Sequence, residues 1–131
     1  MTIREILTNF KKIAVIGLSP DTSKASNSVT QYMIEQGYDI VGVRPGATTI
    51  LERPCFENIA DVPKPLEIVN VFRDSKHIPE IVDTIIPLKP KVLWLQEGVT
   101  NKEAEEKAQK AGICVVSDKC ILKEHMKINT P

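Results

Sequence analysis

The chain alternates between short apolar runs rich in β-branched residues and stretches whose apolar residues recur at helical spacing. Lys12-Ile13-Ala14-Val15-Ile16-Gly17 reads as a buried strand that ends on glycine. A helix is expected from Ser26 to Gln36, with Ser26 as its cap, Val29 and Met33 facing inward and Gly37 as its stop. Further strands are expected over residues 38–43, 67–72, 91–95 and 113–116. Helices are expected over 78–85, with Ser75 as cap and Pro79 in the first turn, over 101–111, and over 121–128. A short leading helix over residues 2–10 would be capped by Thr2, with Glu5 three residues on. Residues 46–66 are the least regular, interrupted by Pro54, Pro63 and Pro65, with room for a strand near Thr49 and a helical turn near Asn58. Alternation of this kind builds βαβ units. The expected fold is α/β: a doubly wound, Rossmann-like, five-stranded parallel sheet in the order 3-2-1-4-5.

Composition narrows the class further. A chain of 131 residues buries roughly two-thirds of its surface on folding, enough for one core, so a single domain over residues 1–131 is expected. Hydrophobic residues at 42% and charged residues at 26% argue against disorder. The longest apolar runs, such as residues 13–18, are too short to span a bilayer, and the first residues lack a signal-peptide layout. A cytoplasmic protein away from membranes is the expectation. Basic and acidic side chains balance at 17 each, and aromatics make up only 5%, which disfavours nucleic-acid binding. Cys55, Cys114 and Cys120 are three in number and lack CxxC spacing, so reduced thiols are expected rather than a disulfide framework or a Cys-only zinc site. His77 and His125 belong to no metal-spacing pattern, and no bound metal is expected.

In a doubly wound sheet, ligands bind beyond the carboxyl ends of the strands where strand order reverses. Here that is the loop after the first strand, Gly17-Leu18-Ser19-Pro20, running through Lys24 to Ser26. A small residue at 17 lets a ligand approach the backbone, and the helix N-terminus favours a phosphate. The full GxGxxG pattern is absent, so Gly17 can equally be a strand end and Ser26 a cap. The second strand ends in Val43-Arg44-Pro45-Gly46 and carries no acid to accept from a ribose. Arg44 can pair with a ribose phosphate, as carried by NADP or coenzyme A, or with a nearby carboxylate on the surface.

The ordered set formed by residues 13–20, Val43-Arg44-Pro45-Gly46, Val69-Asn70-Val71-Phe72-Arg73, residues 93–99 and Asp118-Lys119-Cys120 resembles the small stand-alone CoA-binding proteins. These are similar to the CoA-binding Rossmann domain of the succinyl-CoA synthetase alpha subunit. Arg44 stands where that pattern often has Asn. The resemblance implies that Gly17, Leu18, Ser19 and Pro20 surround the phosphate-bearing part of coenzyme A, with Lys24 and Ser26 beside them. It implies that Val43, Arg44 and Pro45 border the adenosine, that Phe72 and Arg73 line the next strand end, and that Gln96, Glu97 and Gly98 approach the pantetheine arm. Phe72 equally suits a core and Gly98 a turn.

No poised acid, base or nucleophile set is visible, so no catalytic residue is assigned. The expected function is binding of coenzyme A or an acyl-CoA without catalysis; the alternative is an NADP-binding reductase or a fragment of one. Cys120 follows the last strand and falls at the same sheet edge, where thiol exchange with coenzyme A is available to it. It equally suits packing under the last helix.

Overall fold

The structure is a computed structural model that describes residues 1–128; residues 129–131 of the expected domain lie outside the described residues. Along the chain run α1 (Ile3–Asn9), β1 (Lys12–Ile16), α2 (Ala25–Glu35), β2 (Asp39–Val43), β3 (Thr49–Ile50), β4 (Arg53–Phe56), β5 (Ile68–Val71), α3 (Ile78–Ile85), β6 (Val92–Leu95), α4 (Lys102–Lys110), β7 (Cys114–Val116) and α5 (Ile121–Ile128). Single 3-10 turns occur at Ile59–Asp61, Ser75–His77 and Ile86–Leu88.

The period of two along each strand divides the core. Ile13 and Val15 of β1 join one apolar cluster with Leu7, Met33 and Ile121, while Ala14 and Ile16 join the other with Ile78, Val82 and Ala108. β6 splits the same way, Val92 and Trp94 against Leu93 and Leu95. Residues from α1, α2 and α5 thus cover one face, and residues from α3 and α4 the other. Both faces of the sheet are covered, which is why its strands read as almost unbroken apolar runs. Trp94 is fully buried, and its indole N–H donates to the Lys119 carbonyl at 2.8 Å.

The sheet has seven strands in the order β3-β4-β2-β1-β5-β6-β7, parallel except for the β3–β4 pair. The α/β doubly wound class holds, but strand count and order need correction. The five expected strands stand as 2-1-3-4-5, not 3-2-1-4-5, and the position beside β2 belongs to β4. Three prolines had argued against a strand there. Pro54 is accommodated because β4 pairs on one side only with the two-residue edge strand β3 and meets β2 through Cys55 and Phe56 alone. Strand order still reverses at β1, which lies between β2 and β5.

Helix starts divide in the same manner. Thr2 caps α1 as expected, its hydroxyl accepting from the Glu5 N–H at 3.1 Å while the Glu5 carboxylate accepts from the Thr2 N–H at 2.8 Å. Ser75 does not cap α3; its hydroxyl accepts from the Thr100 N–H at 3.1 Å, and His77 holds the cap position. No helix among the described residues is long and apolar enough to cross a membrane.

Near the carboxyl end of the chain, α5 docks through His125, which is 6% exposed. Its Nδ1 shares a hydrogen bond with the Tyr32 hydroxyl at 2.8 Å, and the Tyr32 and Tyr38 rings meet it edge-on at 5.4 and 5.6 Å. Burial, and secondarily the Lys11 ammonium, hold the His125 imidazole below its ordinary value of 6.5. The unfolded chain therefore takes up this proton at a higher pH than the fold does. His125 contributes stability above its ordinary pKa and loses it as pH falls through that value and on to the depressed one. The unfolding midpoint should drop between pH 7.5 and pH 5.5, and a His125→Gln variant should show a smaller drop over the same interval, read by thermal denaturation.

Candidate functional site

The carboxyl ends of β1 and β5 close on each other at Gly17. The Phe72 N–H donates to the Ile16 carbonyl at 2.9 Å, and the Gly17 N–H donates to the Val43 carbonyl at 3.0 Å. Gly17 has φ +86°, and a side-chain carbon there would collide with the Phe72 carbonyl oxygen and lie 3.2 Å from the Arg73 side chain. Glycine is thus required twice, for its dihedral and for the close approach. The next residue, Leu18, is fully buried and packs into the core.

Beyond Leu18 the loop is tied to α2. Ser26 is not the cap of that helix: α2 begins at Ala25 with Lys24 in the cap position and no side-chain cap. The Ser26 hydroxyl accepts from the Ser19 N–H at 3.0 Å, and the Asn27 amide donates to the Ser19 carbonyl at 2.9 Å. Asn27 in turn accepts from Gln31 at 2.7 Å. Ser23 donates to the Asp21 carboxylate through its N–H at 2.9 Å and its hydroxyl at 2.7 Å, which holds that carboxyl below the usual range. Ser19 and Ser26 therefore shape the loop, while Pro20 and Lys24 are exposed on it.

Two clefts open at this sheet edge and share Phe72 and Arg73. The first, about 440 Å³, is lined by those two with Gly17, Val43, Arg44 and Pro45. It contains two guanidinium groups and no carboxylate, and among the described residues neither arginine belongs to an ion pair. The second, about 490 Å³, runs from Phe72 and Arg73 past Gln96 and Glu97 to Cys120. Gln96 is buried and committed: its amide donates to Asn70 at 2.5 Å, and its oxygen accepts from the Ile121 N–H at 3.4 Å. Glu97 pairs with Lys123 at 3.0 Å, and the Gly98 N–H donates to Asp118 at 2.7 Å.

Nine of the expected residues thus line the two clefts: Gly17, Val43, Arg44, Pro45, Phe72, Arg73, Gln96, Glu97 and Cys120. Leu18, Ser19, Pro20, Lys24, Ser26 and Gly98 line neither. Asp74, His77 and Val99 also line the second cleft and were missed. Asp74 follows directly on Phe72-Arg73, so the rule that picked out the strand end could have reached it; His77 lies one turn further on. Among the described residues, no group of three His, Cys, Asp or Glu side chains is arranged to hold a metal ion.

Residues 11–126 match the model of the CoA-binding domain family. The chain belongs to that family. This CoA-binding domain is 34% identical to the uncharacterized protein YneT of Bacillus subtilis, over 94% of its own length and 91% of that protein's. A hypothetical protein from Pyrococcus horikoshii is 38% identical and superposes with a TM-score of 0.90, over 98% of this chain and 90% of that one. An ADP-forming acetate–CoA ligase of Archaeoglobus fulgidus is 22% identical over 85% of this chain, which spans only 18% of that enzyme.

The crevice yields a direct stability test. Gly17→Ala places a carbon against the Phe72 carbonyl and imposes a left-handed dihedral on alanine, so unfolding in denaturant should show a loss of about 1–3 kcal/mol. Gly46→Ala, where a side-chain carbon would meet nothing within 4 Å, should lose less despite its own φ of +84°.

Proposed function

We propose that this chain binds coenzyme A, free or acylated, across the two clefts at the carboxyl edge of the sheet, as a cytoplasmic binding module without catalysis of its own. The observation that carries the reading is the first cleft, where Arg44 and Arg73 stand without a carboxylate among the lining residues. A guanidinium matches phosphate oxygens in a bidentate fork, and coenzyme A brings a ribose 3′-phosphate and a diphosphate. Family membership supports the same ligand, as does kinship with a ligase whose name includes CoA. The three cysteines are free thiols, in keeping with a reducing compartment. A 2′-phosphate on NADP would also suit Arg44. The second cleft, which runs on to a cysteine, favours a ligand with a long thiol-bearing arm.

Coenzyme A should raise the unfolding temperature, and at one hundred times its dissociation constant it should add about 2.7 kcal/mol of stability. NAD should leave the temperature unchanged. A shift with NADP and none with coenzyme A would overturn the reading in favour of a reductase. Arg44→Ala should weaken coenzyme A by about 1–3 kcal/mol in a binding titration, yet be nearly silent toward dephospho-CoA. Equal losses for both ligands would mean that Arg44 reads something other than the 3′-phosphate.

Cys120 extends the proposal to thiol exchange. Cys55 is buried, which pushes its thiol pKa up, and its Sγ faces the Arg44 carbonyl at 3.8 Å. Cys114 opens β7, at the opposite end of that strand from the clefts. Cys120 lines the second cleft. With CoA disulfide as the oxidant, the Cys120 thiolate attacks one sulfur, the CoA–CoA bond breaks, a protein–CoA disulfide forms and one CoA thiolate leaves. Mass spectrometry after exposure to CoA disulfide should show one added CoA, removed by thiol reductant and absent from Cys120→Ser. Equal modification of the serine variant would assign the reaction to another cysteine and end this part of the proposal.

A further inference from the structure

The buried amides behind the second cleft carry donors that the fold does not spend. Gln96 is 5% exposed and lines that cleft. Its orientation is fixed, because its oxygen accepts from the Ile121 N–H and its nitrogen donates to the Asn70 oxygen. One proton of the Gln96 NH2 group is then left over. So is the whole NH2 group of Asn70, for which no acceptor stands among the described residues. Asn70 is 1% exposed, and alternation along the chain puts it with Phe72, another residue of the cleft wall, on the face opposite Val69 and Val71. A buried amide nitrogen without an acceptor is costly, so these groups point to a ligand that brings oxygen. Independently, α5 starts at the same cleft. The Glu124 N–H donates to the Cys120 carbonyl at 3.0 Å, which makes Cys120 the cap residue of that helix. Among the described residues nothing accepts from the N–H of Leu122 or of Lys123, in the first turn.

Resting on the coenzyme A reading above, we infer that Cys120 takes the acyl group from a bound acyl-CoA, so that the chain itself carries it as a thioester. The Cys120 thiolate attacks the thioester carbonyl carbon, and the carbonyl electron pair moves onto oxygen. When that pair returns, the bond from carbon to the CoA sulfur breaks, CoA leaves as its thiolate, and the acyl group stays on the Cys120 sulfur. One thioester is broken and one is formed, with no oxidant and no net proton. The oxyanion of the intermediate is the acceptor that suits the unspent donors. N–H groups at a helix start and a buried amide are fixed in place, where they stabilise such charge. The cap position of Cys120 brings its sulfur and the helix-start donors to one end of α5. Thiol exchange with a disulfide makes no use of them, because no oxygen gains charge in it. The other thiols lack these surroundings: Cys55 is buried beside Arg44, and Cys114 lies at the far end of β7. The modification is stoichiometric, one acyl group per chain, and no turnover is required.

The test incubates the protein with excess acetyl-CoA and a phosphine reductant, which keeps disulfides from forming, and follows the intact mass. The wild type should gain one acetyl group, and peptide mapping should place it on Cys120. Neutral hydroxylamine, which cleaves thioesters and spares acetyl-lysine, should remove it. Cys120→Ala should lose the label while acetyl-CoA still raises its melting temperature, and Cys114→Ala should keep the label. Labelling of Cys120 should outpace that of Cys114, measured in Cys120→Ala, by about tenfold or more, the advantage expected of donors aimed at the oxyanion. A thermal shift of the wild type with acetyl-CoA but no acetyl mass would overturn the inference and leave the coenzyme A reading intact. So would a label that maps to another residue or resists hydroxylamine. Absence of both the label and the thermal shift would remove both.

Discussion

A pair of buried amides holds the carboxyl edge of the sheet together. Asn70 of β5 accepts from Gln96, which follows β6, and Gln96 accepts in turn from the first backbone N–H of α5. Both side chains are almost wholly buried, where an unpaired amide would cost about 1–3 kcal/mol, so each is tolerable only because the other is present. The pair ties two strand ends to the start of a helix. Trp94 adds a second tie from β6 to the Lys119 carbonyl, and Asp118 a third to the Gly98 N–H. The position of Cys120 beside the cleft follows from these bonds, not from any feature of the cysteine.

The Gly17 side of the crevice rests on a different device. Gly17 lets β1 and β5 approach so closely that no side chain fits between them, and Leu18 then anchors the loop by filling the core beside Gly42. Ser26 and Asn27 hold both backbone polar groups of Ser19. The Ser19 backbone is thus fixed against the start of α2 by side chains of that helix. Two different mechanisms, amide pairing on one side and steric closure on the other, converge on the same crevice.

Much of this was legible in the sequence, for identifiable reasons. Strands buried on both faces leave apolar runs, and helices between them leave a 3.6-residue period, so the α/β class and the reversal at β1 followed from pattern alone. The Thr2–Glu5 cap was legible because both partners lie within one turn of each other. What failed depended on partners distant in the chain or on edges. Ser75 looked like a cap, but its hydroxyl serves the entry to α4 some twenty-five residues on. Gln96 and Glu97 do line the second cleft, but their commitments to Asn70 and to Lys123, each some twenty-six residues away, were not legible. β4 was hidden because proline argues against a central strand, yet β4 meets β2 through two residues only and has the short β3 on its other side.

That edge hairpin governs the crevice from outside it. The Arg44 N–H donates to the Phe56 carbonyl at 2.8 Å, and the Cys55 thiol faces the Arg44 carbonyl. The backbone of the arginine is therefore held by the irregular β3–β4 segment, while Gly17 and Phe72 are held by the central strands. Lengthening or shortening the hairpin would bear first on the Arg44 backbone, and through the neighbouring Val43 carbonyl on the Gly17 N–H. The hairpin is itself anchored, through Ile50 and Cys55 in the apolar cluster on one face of the sheet, so the placement of the Arg44 guanidinium is coupled to packing well away from the crevice.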